Sequence, residues 1–127
     1  MAPLCLILSD DLLDASRVIG DGRAAGLAVL QCRDVQCLTS AIARAPVLAV
    51  LDLHNPGLDI EAMVPQLKAI NCRAIGFGSH VDAARLKAAR SAGCDEVLPR
   101  SAFFEGLEAK MRGWANVAGT KQEIATS

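Results

Sequence analysis

Five short, largely apolar runs recur along the chain, each bounded by polar or turn-forming residues: Leu4–Ser9, Leu27–Cys32, Val47–Asp52, Arg73–Phe77 and Glu96–Leu98. They are nearly all apolar rather than alternating, as in strands buried on both faces of a parallel sheet. Between the runs the apolar spacing changes to three or four residues. Val81, Ala84, Ala88 and Ala92 fall on one helical face, as do Met63, Leu67 and Ile70, and as do Phe104, Leu107, Met111 and Trp114. Five strands alternating with five helices predict an α/β domain, a parallel sheet with helices on both faces.

Local signals sharpen the boundaries. Gly20, Gly22 and Gly26 break the pattern after Ile19, so the first helix is expected to be short. Pro65 fits a third helix only near its first turn, which puts that helix's start around Val64. Asn55-Pro56-Gly57 supplies the central residues of a type II turn. Ser101 is placed to cap the fifth helix, with Glu105 near its positive end. From Ala115 to Ser127 the residues turn small and polar. One domain over residues 1–114, followed by a flexible tail over 115–127, is the expectation.

Composition narrows the class. The 127 residues are 52% hydrophobic with a formal net charge of −1, which fits a single globular core. There is no basic field to attract nucleic acid, and none is expected as a partner. No apolar run approaches the roughly 18 residues that cross a bilayer, so no membrane partner is expected either. The N-terminus lacks a basic region ahead of Asp10 and Asp11, so a cytoplasmic location is expected. The five cysteines, Cys5, Cys32, Cys37, Cys72 and Cys94, are odd in number and form no CxxC pair. They read as reduced thiols, several of them buried, rather than as a disulfide framework or zinc site.

The chemistry concentrates in three carboxylates. Asp10 and Asp11 follow the first predicted strand, and Asp52 follows the third. Parallel strands share one end, so the three can converge beyond the sheet, where ligands of open α/β folds bind. Hard oxygen donors of this kind suit Mg²⁺, and a cation would offset their repulsion. Taken singly, each aspartate also suits a helix cap or a turn. The acidic pair after strand one, joined to a lone aspartate with a Pro-Gly turn behind it, is the stronger pattern. No Ser-His-Asp order or nucleophile elbow is present, and no enzyme is expected.

Three stretches carry a family resemblance: Ser9-Asp10-Asp11, the segment Leu51 to Asp59, and Ala92-Gly93-Cys94-Asp95-Glu96-Val97-Leu98-Pro99-Arg100. Over about residues 3–114 the chain resembles the receiver domains of response regulators, which are CheY-like. The resemblance implies a (βα)5 doubly wound sheet of flavodoxin/CheY type, with strand order 2-1-3-4-5. It implies Asp52 as phosphoacceptor from a histidine kinase or another signalling protein of a phosphorelay. It implies Mg²⁺ held by Asp10, Asp11, Asp52 and the backbone carbonyl of His54. It also implies a docking or homodimer face on helix 4, strand 5 and helix 5, carrying Arg90, Arg100 and Phe103 or Phe104.

The chain departs from that pattern where the family reads out its phosphate. Arg100 stands at the lysine position, and Gly78 stands at the Thr or Ser position with Ser79 one residue away. Ser101 replaces the proline that usually follows, and Val97 takes the aromatic switch position. Arginine keeps the charge but not the compact ammonium geometry. An atypical receiver acting by protein–protein interaction is therefore expected, with a phosphorylation-independent pseudo-receiver scaffold as the alternative. Asp52-x-His54-x-x-Gly57 also spells a cobalamin-binding string, though that motif follows a domain's first strand and here follows the third. His80 is expected at the rim of the crevice. Arg85, Lys87 and Arg90 form a basic edge on the fourth helix.

Overall fold

The structure, a computed structural model, describes the backbone of residues 2–126 and the side chains of residues 2–116. The strands are β1 (Leu4–Leu8), β2 (Ala28–Cys32), β3 (Leu48–Asp52), β4 (Arg73–Gly78) and β5 (Glu96–Pro99). The helices are α1 (Leu12–Ala24), α2 (Val35–Ala41), α3 (Ile60–Ala69), α4 (Ala83–Ser91), α5 (Arg100–Phe104) and α6 (Leu107–Thr126). All strands are parallel, in the order β2-β1-β3-β4-β5, as expected.

The pleat of β1 sorts the core. Cys5 and Ile7 point to one face, with Val50, Phe77, Phe103, Leu107 and Met111. Leu6 and Leu8 point to the other, with Leu38, Leu51, Met63 and Leu67. Phe77 stacks on Phe103 with ring centroids 4.5 Å apart, and Phe104 meets both edge-on. A third cluster, Leu53, Leu86, Ala89 and Val97, sits beneath α4.

Four helices start from aspartates whose side chains accept first-turn N–H groups: Asp11, Asp34, Asp59 and Asp82. These caps explain several departures from the sequence pattern. Asp59 starts α3 at Ile60, not Val64, so Pro65 lies inside the helix on its exposed side, where water can satisfy the carbonyl that it leaves unpaired. Asp82 starts α4 at Ala83. Its buried residues are Leu86 and Ala89, whereas Val81 is 79% exposed and Ala84 and Ala88 face solvent.

α1 is not short; it runs on through Gly20 and Gly22. A Cβ on Gly22 would lie 2.6 Å from Val29 Cγ2 and 3.0 Å from Met111 Cε, so the missing side chain lets α1 press against β2 and α6. The expected fifth helix is two helices. Gly106, at φ +59°, turns the chain between α5 and α6. Ser101 lies inside α5 and caps nothing, since Pro99 precedes the helix without a side-chain cap. The helical backbone of α6 runs beyond Ala115 to Thr126, a stretch free of proline and supplied with Ala, Lys, Gln and Glu. The side chains of the expected tail beyond residue 116 lie outside the described residues.

Candidate functional site

β1 and β3 are neighbours in register, Leu8 opposite Leu51, so the residues after them meet at one end of the sheet. Ser9 and Asp52 are buried there, side by side. The Ser9 hydroxyl donates to Asp52 Oδ2 at 3.1 Å, and the Asp11 N–H donates to Ser9 Oγ at 3.1 Å. The His54 N–H donates to Asp52 Oδ1 at 3.0 Å. Asp52 is 8% exposed and so stands at the floor of the crevice. The acidic pair lies on its rim: Asp10 is exposed, and Asp11 Oδ1 accepts from the Leu13 and Asp14 N–H groups at 2.9 and 3.1 Å. Asp11 is therefore both a helix cap and a rim carboxylate.

The turn behind Asp52 forms as expected. The Leu58 N–H donates to Asn55 O at 3.3 Å, and Gly57 takes φ +82°. Asn55 is buried and its amide donates to Arg33 O at 3.1 Å, tying the turn to the loop after β2. Its Oδ1 has no hydrogen-bond partner among the described residues.

His54 is exposed. Its ring turns towards the end of β4, where Nε2 accepts the Ser79 N–H at 2.9 Å. A Cβ on Gly78 would come within 3.1 Å of that nitrogen. The imidazole thus lies against the space where residue 78 would carry its side chain. Ser79 Oγ accepts the Val81 N–H at 3.4 Å within its own turn.

Arg100 crosses the crevice from the end of β5 and forms a two-pronged ion pair with Asp14 on α1. Asp14 is buried, and the sequence pattern gave it no role. Its signal was present: it shares a helical face with Val18 and Gly22, and an acid at core spacing needs a partner. The Asp14 bond is the main cause that raises the Arg100 pKa above the ordinary arginine value, with the charges of Asp14, Asp11 and Asp52 adding to it. The guanidinium lies 5.2 Å from the Phe104 ring centroid, and Arg17 covers the same ring at 4.4 Å.

The aromatic part of the expected docking face is absent from the surface. Phe103 and Phe104 are buried in the core because the α5–α6 break folds α5 back against β4 and β5. Val97 is also buried. Arg90 donates to Val97 O at 3.3 Å, and His80 is exposed at the rim.

The donors fit a hard cation in kind, being carboxylate oxygens. Among the described residues, no three His, Cys, Asp or Glu side chains are gathered closely enough to hold a metal ion. Ser9 and Arg100 instead balance the acids in this arrangement.

No family model and no curated protein matches the sequence. Solved structures match the fold. The signal receiver domain of a Luxo-type repressor protein from Vibrio parahaemolyticus superimposes with a TM-score of 0.82 at 16% identity, over 98% of each chain. A response-regulator receiver domain from Bermanella marisrubri gives 0.76 at 19% identity, over 90% of this chain and 98% of that one. A Burkholderia pseudomallei response regulator, solved with a phosphorylated aspartic acid, a calcium ion and citrate, gives 0.71 at 19% identity, over 98% of this chain and 75% of that one. The chain therefore has the CheY-like receiver fold.

Proposed function

We propose that the chain is an atypical receiver module of signal transduction, with Asp52 as its phosphoacceptor and a partner protein as its target. The observation that carries this reading is the link from the Asp11 N–H through the Ser9 hydroxyl to Asp52 at the floor of the crevice, with the Arg100 cation feeling the charges of both acids. In the transfer, an Asp52 oxygen attacks the phosphorus of a phosphohistidine. The P–N bond breaks, the imidazole takes a proton as it leaves, and an acyl phosphate forms. Ser9 releases Oδ2 in that step, and Arg100 offers charge to the phosphoryl oxygens. Asp10, Asp11, Asp52 and the His54 carbonyl are the residues that would hold Mg²⁺, which supplies charge neutralisation.

Incubation with Mg²⁺ and acetyl phosphate tests this. The expected result is a mass gain of about 80 Da for one phosphoryl group, absent in Asp52→Asn. An unmodified wild type that also fails to bind Mg²⁺ in titration sinks the reading.

A second reading, a phosphorylation-independent scaffold, is favoured by one specific feature. The His54–Ser79 hydrogen bond fills the Gly78 site, and Arg100 is already paired with Asp14. Under it, partner binding is unchanged by Asp52→Asn.

A further inference from the structure

We propose that Cys32 and Cys37 are a modification site, a thiol pair that a peroxide closes into a reversible intramolecular disulfide. Cys32 ends β2 with no exposed surface, and Cys37 lies half-buried in the first turn of α2. Both are free thiols, and their sulfurs share a hydrogen bond at 2.6 Å. A disulfide bond measures about 2.05 Å, so the two sulfurs need only a small further approach. Among the described residues no other sulfurs are in such contact: Cys5 and Cys72 donate to backbone carbonyls.

The two thiols have unequal roles. Cys37 is the one that solvent reaches. Burial pushes the Cys32 thiol up to about 12, and the hydrogen bond and charge of Cys37 add to it, so Cys32 keeps its proton and waits. The Cys37 thiolate attacks a peroxide oxygen, the O–O bond breaks, and the other oxygen leaves as water after taking a proton. Cys37 becomes a sulfenic acid. The Cys32 sulfur then displaces hydroxide from Cys37, which leaves as water with the Cys32 proton, and the S–S bond forms. Two thiols lose two electrons and two protons, and one hydrogen peroxide becomes two waters. A dithiol reverses the reaction.

The location gives the bond something to act on. The Cys32 carbonyl accepts the Ser9 N–H at 3.0 Å, and Ser9 holds Asp52. Formation of the bond does not depend on phosphoryl transfer at Asp52, so the two readings fail separately.

The test is intact-mass and peptide analysis of the full chain after brief exposure to hydrogen peroxide and alkylation. The expected mass loss is about 2 Da for two hydrogens, with two fewer alkylated thiols and recovery in dithiothreitol. Because Arg33 lies between the cysteines, trypsin should yield two peptides joined through Cys32 and Cys37. In Cys32→Ala, which keeps the reactive thiol, dimedone should trap a sulfenic acid at Cys37. Wild type that stays fully alkylable, that bridges other cysteines, or that stops at sulfinic acid with Cys32 still alkylable overturns the proposal.

Discussion

At residue 78 the fold records a trade. The glycine is required less by backbone conformation than by its neighbour, since a Cβ there lies 3.1 Å from His54 Nε2 and 3.4 Å from Leu86 Cδ2. Gly78→Ala should cost about 1 kcal/mol, and the cost should shrink by a similar amount in the His54→Ala background. A double-mutant cycle in urea reads this coupling; additive effects would refute a steric link. Arg100 makes a parallel case. Lysine there keeps the charge but loses the two-pronged grip on buried Asp14. Arg100→Lys should cost about 1 kcal/mol, and Arg100→Ala roughly 2, discounted because the arginine is half exposed. Equal stability of all three in urea would show that Asp14 needs no partner. Neither pairing was legible beforehand. The sequence marked Gly78 and Arg100 as departures, but the occupants of the space around them, His54 and Asp14, lie 24 and 86 positions away.

Strands were legible and helix details less so, for a physical reason. A strand buried on both faces must be apolar throughout, and β1, β3 and β4 announce themselves without context. Helix faces depend on where the helix starts, and the capping aspartates fixed those starts differently from the apolar spacing. Asp82 turned Val81 out of α4, and Asp59 drew Pro65 into α3. α1 shows propensity yielding to packing. Replacing an interior helical glycine with alanine usually gains about 1 kcal/mol. At Gly22 the added methyl meets Val29 and Met111 at 2.6 and 3.0 Å. Gly22→Ala should instead lower stability by about 1–3 kcal/mol, read as an earlier urea midpoint. Gly20→Ala, two residues away with open space around it, should hold or raise that midpoint. The same outcome for both variants would mean that the α1–β2–α6 contact does not discriminate.

For the molecule as a whole, the acid limb of stability should pass through Asp95, far from the crevice. Its carboxylate accepts the Ala74 N–H at 2.7 Å and pairs with Lys68, so one side chain ties α3 to the β4–β5 edge. Burial alone would raise its pKa. The hydrogen bonds from Lys68 and Ala74 outweigh that and hold it below the ordinary carboxylate value. A depressed carboxylate contributes stability that is present above its unfolded value, about 3.9. That contribution is lost as pH falls through the lower folded value. Asp82 is lowered as well, by its Arg85 hydrogen bonds, but that pair lies at the surface, where water screens it, and it is left out of this sum. Arg100 shifts upward, so the loss of its own proton matters only at high pH. Asp95→Asn should therefore lose less than about 1 kcal/mol at neutral pH, the ion pair being partly screened. Its difference from wild type should shrink below pH 4 as wild type loses the charge that the variant lacks. Urea midpoints measured from pH 3 to pH 7 decide it: curves that stay parallel throughout would place the acid sensitivity elsewhere.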